Sequence, residues 1–282
     1  MRITFDTNIN KNYNFAGRNL CRLLHPKVPQ AGVAVFSRTR PLKFDAITSE
    51  TLRKLSSIKY KPSNTGPKGS YSTFVFDNLT NKPQEVFVLP DTSGKNVNQS
   101  ETYLFMIRDP IRGFLQTIGE RSFEVNRKES IISPGAMYNH CKERYSGVGT
   151  RGHQLAVERK MQEGFENVEI HSYFSAYPFH KKCGFVPISD EIIPINNYLS
   201  ELEDMAMSLK LDEETLMPLL ERRLIGAKWY IDENLSLRNI AEYIYKKGIT
   251  PPAAGGFSMQ LSPLAMKEWE IFAESQPILL NK

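Results

Sequence analysis

Four short segments rich in Phe, Val, Tyr and Ile follow one another between Tyr71 and Ile118, and this succession constrains the fold more than any other feature of the chain. Residues 71–76 and 85–89 flank a turn-forming stretch, 77–83, and predict a hairpin. Residues 102–107 and 113–118 predict a second one, joined through Asp109-Pro110. Four consecutive antiparallel strands require a sheet with at least one water-facing side. After Gly149 the apolar period changes. A helix is expected over residues 150–163, ended by Gly164, followed by a strand over 168–171 and a short helical segment before Gly184-Phe185. Beyond Ser189 the residues Leu199, Leu202, Met205, Leu216, Leu219, Leu220 and Leu224 recur at three- and four-residue steps and predict core-facing helical stripes. The pattern is that of an α+β (mixed α/β) protein: a mixed, largely antiparallel central sheet flanked by helices, with a mainly helical C-terminal region.

A chain of 282 residues is long enough to bury a core without disulfides or metals, as one large domain or two ordinary ones. Its 40% hydrophobic and 11% aromatic content excludes a disordered chain. The expected organisation is an N-terminal segment of unassigned role over residues 1–60, a core over 61–190, and a region over 191–282 that packs on the core or completes it. The net charge is a mild +5, and the basic pairs Lys181-Lys182, Arg222-Arg223 and Lys246-Lys247 are scattered, as on solvated faces. Cys21, Cys141 and Cys183 are widely spaced and odd in number, which predicts reduced thiols and no standard zinc site. No apolar run approaches the roughly 20 residues of a membrane helix, and the first residues lack a signal-peptide core, so a cytoplasmic protein without membrane contact is expected.

The stretch from Arg144 to Phe185 carries the chemistry. It opens Arg144-Tyr145-Ser146-Gly147-Val148-Gly149-Thr150-Arg151-Gly152, three glycines in six positions at the start of a helix. Such a turn lets backbone N–H groups approach an anion, and the helix N-terminus adds partial positive charge; Arg144 or Arg151 is available for further pairing. A glycine-rich turn that only lets the helix pack closely is the competing reading, and these nine residues leave both open. A Walker loop is excluded because no Gly-Lys-Ser/Thr follows. Gly147, Gly149 and Gly152 formally match a dinucleotide-binding fingerprint, with Glu169 near its acidic position. The preceding 139–144 is too polar for the buried parallel strand that fingerprint must follow.

Arg144-x-x-Gly147-x-Gly149 resembles the Q/R-x-x-G-x-G/A motif with which the GNAT acetyltransferase superfamily cradles the pyrophosphate of acetyl-CoA. Ala176-x-x-Phe179-His180-x-Lys182-x-Gly184-Phe185 resembles the family's later ending, at a typical spacing. The resemblance covers residues 144–185. It implies a GNAT-like fold, acetyl-CoA as acyl donor with no metal, and direct transfer to an amine on a protein or a small molecule. It implies Arg144, Ser146, Gly147, Val148, Gly149, Thr150, Arg151 and Gly152 as cofactor-binding residues. It also implies that the pantetheine arm enters where two strands splay apart, with a backbone N–H on the thioester oxygen and a carboxylate taking the amine proton. Glu124, Glu129 and Glu169 are the candidate bases. The family commonly has a tyrosine where this chain has His180; His180 is the candidate acid, with Tyr177 one turn earlier as its alternative. Gly152 and His153 stand where the family's helix usually carries leucines. The strand before the cradle is expected over 123–134, leaving a long insertion over 135–143.

Residues 235–244, followed by Lys247-Gly248-Ile249-Thr250-Pro251-Pro252, resemble the start of a recombinase-type helix-turn-helix module. The next helix candidate, 263–274, has Lys267 against Glu268, Glu270 and Glu274, poor material for a phosphate-lined groove. Nucleic acid is therefore disfavoured as a partner. Two alternatives to the enzyme remain: a non-catalytic GNAT-like interaction module, and a DNA-binding protein using the C-terminal helices.

Overall fold

A computed structural model describes residues 33–91, 100–109, 112–189, 192–197, 199–252 and 255–281. The expected position of Cys21 lies outside them, as do the side chains of Leu199 and Leu202. In chain order the elements are β1 (Val35–Arg38), α1 (Glu50–Ser56), β2 (Ile58–Lys61), β3 (Tyr71–Asp77), β4 (Lys82–Pro90), β5 (Ser100–Arg108), β6 (Leu115–Asn126), β7 (Ile131–Asn139), β8 (Tyr145–Ser146), α2 (Val148–Glu163), β9 (Asn167–Tyr173), α3 (Tyr177–Lys182) and β10 (Phe185–Pro187). There follow β11 (Ile192–Pro194), α4 (Leu199–Leu209), α5 (Glu213–Leu216), β12 (Glu221–Ile225), β13 (Lys228–Asp232), α6 (Glu233–Lys247), β14 (Gly256–Leu261), α7 (Pro263–Ser275) and β15 (Leu279–Leu280).

The main sheet has the order β10-β14-β9-β7-β6-β5-β4-β3-β15, with β8 also paired to β3. Every pairing is antiparallel except β7 with β9, the two strands joined through α2. Both expected hairpins are present, β3–β4 and β5–β6. The fold is mixed α/β with a mostly antiparallel sheet, as the sequence predicted.

Two local expectations are corrected. The strand before the glycine turn is not 123–134: residues 127–130 turn the chain, and that span is divided between β6 and β7. The presumed insertion 135–143 is mostly the second half of β7. The reason is a β-bulge: Phe123 pairs with Pro134 and Arg121 with Met137, so Gly135 and Ala136 together oppose Ser122. A Cβ on Gly135 would lie 2.5 Å from Ser122 Oγ, so a side chain here would have to displace the Ser122 hydroxyl.

The region beyond Ser189 is not a run of helices alone. Residues 221–232 form the hairpin β12–β13, which carries Leu224 to the surface at 58% exposure, outside any helical stripe. Leu216 and Leu220 are buried as expected. After α6 the chain does not enter a second DNA-reading helix. Gly248 ends α6 in the left-handed conformation, and β14 inserts between β9 and β10. Phe257, Met259 and Leu261 point into the core at strand period. The helix expected over 263–274 is present as α7, but β14 separates it from α6, so the two do not form a helix-turn-helix.

Residues ahead of position 61 are buried as well. Ile47, Leu52 and Leu55 are fully buried, so the segment leading into α1 belongs to the same core. It is held by the carboxylate of Glu268 on α7, which accepts from the backbone N–H groups of Asp45, Ala46 and Ile47. The amides of Thr48 and Ser49 donate to the carbonyl of Lys182 at the end of α3. Cys183 is a buried free thiol, whereas Cys141 is disulfide-bonded rather than reduced. No helix among the described residues is long and apolar enough to cross a membrane.

Candidate functional site

β7 and β9 pair only at Ile131–Asn167 and Ile132–Val168, then part. The bulge at Gly135 and Ala136 lies just beyond that pairing, where an extra residue bends β7 away from its neighbour. In a strand–helix–strand unit the helix runs back against the strands, so the N-terminus of α2 lies at the carboxyl end of β7, the open end of this parallel pair. That is where open sheets take ligands.

Alternation along the strands assigns the two faces of the opening. Ile132, Pro134 and Met137 on β7, Arg121 and Phe123 on β6, and Val168 and Ile170 on β9 face α2, and all but Met137 are buried. Glu120 with its pairing partner Tyr138, and Glu169, face the other way from β6, β7 and β9. Two carboxylates therefore flank the opening on the face turned from α2. Glu169 was expected; Glu120 was missed, because only pairing with β7 brings it there. Glu124 and Glu129 are exposed, and Glu129 accepts from Asn126 in the β6–β7 turn.

The start of α2 differs from its sequence reading in a specific way. Gly147 is the N-cap in the left-handed region at φ 103°, with no side-chain cap and no acidic residue in the first turn. The amides of Val148, Gly149 and Thr150 are thus the orphan donors of an uncapped helix. α1, α5, α6 and α7 each have a Ser or Asp side chain on theirs. Ser146, Gly147 and Gly149 are half-buried, and Val148, Thr150, Arg151 and Gly152 are buried.

The space the glycines leave is filled by the chain itself. A Cβ on Gly149 would meet Phe179 Cζ at 3.0 Å, one on Gly152 would meet Met137 Sδ at 3.2 Å, and one on Gly147 would touch Leu55 and Thr51 at 3.5 Å. Close packing and the uncapped amides coexist here; the two readings left open by the sequence are not exclusive.

Both predicted arginines have partners within the chain. Arg144 Nη2 lies 3.2 Å from Asp77 Oδ2 in a buried ion pair. Arg151 is fully buried; its Nε donates to the carbonyl of Phe74 at 2.9 Å, its Nη1 to Gln154, and its guanidinium stacks on Phe74 and Phe272. Burial lowers its pKa to about 9, which leaves it charged at neutral pH. Both residues secure the turn to β3 and α7.

The two candidate acids are equally committed. His180 is buried, with Nδ1 3.1 Å from His153 Nε2, and burial together with the positive charge of Arg121 lowers its pKa to about 3. A ring that is neutral at pH 7 has no proton to spare as an acid. Tyr177 donates its hydroxyl to Glu242 Oε1 at 2.6 Å, and burial and that hydrogen bond push its pKa up. It lines a cavity of about 680 Å³ with Lys181, Glu242 and Tyr243, on the outer side of α3. Among the described residues no cluster of His, Cys, Asp and Glu is built to hold a metal ion.

The sequence also missed Arg121. It sits on β6 at 2% exposure, with its stem against Gly152 and neither Nε nor Nη2 hydrogen-bonded.

No family model and no curated protein matches this chain. Solved structures similar to parts of it include a putative streptothricin acetyltransferase from Bacillus anthracis in complex with acetyl coenzyme A. It is 13% identical over 72% of this chain and 96% of that one, with a TM-score of 0.31. A GNAT family acetyltransferase from Elizabethkingia anophelis with acetyl-CoA bound is 11% identical over 52% and 94%, at 0.31. An IAA acetyltransferase from Bacillus cereus is 14% identical over 52% and 95%, at 0.30.

Proposed function

We propose that the chain is an acetyl-CoA-dependent N-acetyltransferase acting on an amine acceptor. The observation that carries this reading is the parallel pair β7–β9, which opens at a bulge beside the uncapped, glycine-flanked N-terminus of α2. Bound acetyl-CoA supplies an activated acyl group at its thioester. The amides of Val148, Gly149 and Thr150 hold the pyrophosphate, where the helix dipole favours negative charge. Gly135 and Ala136, outside the β6 ladder, donate N–H groups to the thioester oxygen as charge develops on it. Glu120 or Glu169, on the face turned from α2, takes the proton of the attacking amine. The amine nitrogen bonds to the acyl carbon as the carbon–sulfur bond breaks, and the departing sulfur takes a proton from water, since Tyr177 is committed to Glu242 and His180 is neutral.

A second reading, binding without transfer, is favoured by that same lack of a free acid and by the commitment of Arg144 and Arg151. Calorimetric titration of acetyl-CoA into the wild type, Gly147→Glu and Ser146→Glu tests the cradle. Binding that is lost in both folded variants supports it; no binding by the wild type sinks it. Thiol release with a panel of amines then separates the readings, and Glu120→Gln and Glu169→Gln identify the base by a fall in kcat that grows as pH drops.

A further inference from the structure

Arg121 is a buried charge that no carboxylate among the described residues answers. Its stem runs from β6 beneath α2 at Gly152, with Cγ and Cδ 3.5 Å from where a Cβ there would stand. Its charge is felt at His153 on α2 and at His180 and Cys183 on and just after α3. These helices cover the α2-facing side of the β7–β9 opening. Among the described residues Nε and Nη2 have no hydrogen-bond partner, and Nδ1 of His153 has none either. Cys183 offers no counter-charge, because burial raises its thiol to about 12. An enclosed guanidinium without a carboxylate is costly, by several kcal/mol in general. Its planar fork matches a carboxylate edge-on.

We infer that Arg121 is a binding site for the terminal carboxylate of a dicarboxylic acyl group, so that the preferred donor is a thioester such as succinyl-CoA rather than acetyl-CoA. This rests on the proposed transfer of an acyl group from a CoA thioester and changes only which acyl group is carried. Arg121 lies on the α2 side, where the donor is held, while Glu120 and Glu169 face the opposite side, where the amine enters. The carboxylate is thus assigned to the acyl donor and not to the acceptor.

The test is calorimetry of succinyl-CoA, acetyl-CoA, free CoA and succinate against the wild type and Arg121→Met, with thermal melts of both proteins. Expected is at least tenfold tighter binding of succinyl-CoA than of acetyl-CoA by the wild type, with that preference abolished in Arg121→Met while acetyl-CoA binding persists. The ligand-free Arg121→Met protein melts at or above the wild-type temperature, since it loses an unanswered charge. Equal binding of both thioesters overturns the inference and leaves the acyltransferase reading standing. Arg121-dependent binding of succinate but not of succinyl-CoA overturns the assignment to the acyl chain. Failure of Arg121→Met to fold overturns it too, by showing that the charge is answered within the fold. Absence of binding by every CoA derivative removes both readings together.

Discussion

His153 Nε2 and His180 Nδ1 lie 3.1 Å apart and share one hydrogen bond between α2 and α3, with Phe179, Phe185 and Trp269 packed around the His153 ring. Burial, then the charge of Arg121, holds both imidazoles neutral. Their folded pKa values are depressed, so unfolding takes up protons below the unfolded value near 6.5. Stability is complete above that pH and falls as pH drops toward about 3 for His180. Each histidine contributes a slope of up to about 1.4 kcal/mol per pH unit. Urea melts at pH 7, 6 and 5 should show the loss, and His180→Gln should reduce it. Flat stability over that range would contradict the buried neutral pair.

Glu158 works in the opposite sense. Its Oε1 accepts from Gln154 Nε2 at 2.7 Å and from the backbone N–H of Ile278 at 3.0 Å, while burial raises its pKa to about 7. A raised carboxyl pKa gives stability below pH 4.5 that is lost as pH rises through 7. Between these limits it offsets about one of the two histidine protons. Glu158→Gln should therefore stabilise the protein at pH 8 by about 1–3 kcal/mol, and steepen the loss between pH 6.5 and 5. A destabilised variant at pH 8 would show that the charged carboxylate is the favoured form.

Glu268 secures the segment that reaches the glycine turn, through three backbone N–H groups at 45–47. Glu268→Ala leaves those donors, with that of Ile47 buried, without their acceptor and should cost about 2–4 kcal/mol. Amide exchange at Ile47 and Leu52 should quicken with it, while Glu268→Gln, which keeps an acceptor oxygen, should cost less. Unchanged exchange would assign the tether elsewhere.

Two glycines should respond in opposite ways to alanine. Gly184 has φ 88°, and a Cβ there would lie 2.3 Å from that of Ala265, so Gly184→Ala should cost about 2–4 kcal/mol. At Gly152 the nearest atom is the flexible sulfur of Met137 at 3.2 Å, and helix propensity favours alanine by about 1 kcal/mol. Gly152→Ala should be neutral or stabilising. Equal losses at both positions in thermal melts would contradict this contrast.

The hairpins β3–β4 and β5–β6, helix α2 with its Gly164 stop, β9 and α3 were all legible in the sequence, because period and punctuation are local properties. The glycine turn was legible as a motif for the same reason. Sequence alone could not tell that Arg144 and Arg151 are spent on Asp77 and Phe74, residues about seventy positions away that reach them only through β3. The same holds for His180, whose imidazole reads as an acid until burial and Arg121 lower its pKa. β14 alternates cleanly as Phe257, Met259 and Leu261, yet its place between β9 and β10 depends on pairing with strands seventy to ninety residues earlier. Sequence thus determined many of the strands and helices and the place of the glycine turn at a helix start. Tertiary structure decided which charges remain unanswered there, because burial and long-range partners set the cost of each charge, and neither is written in any local stretch of the chain.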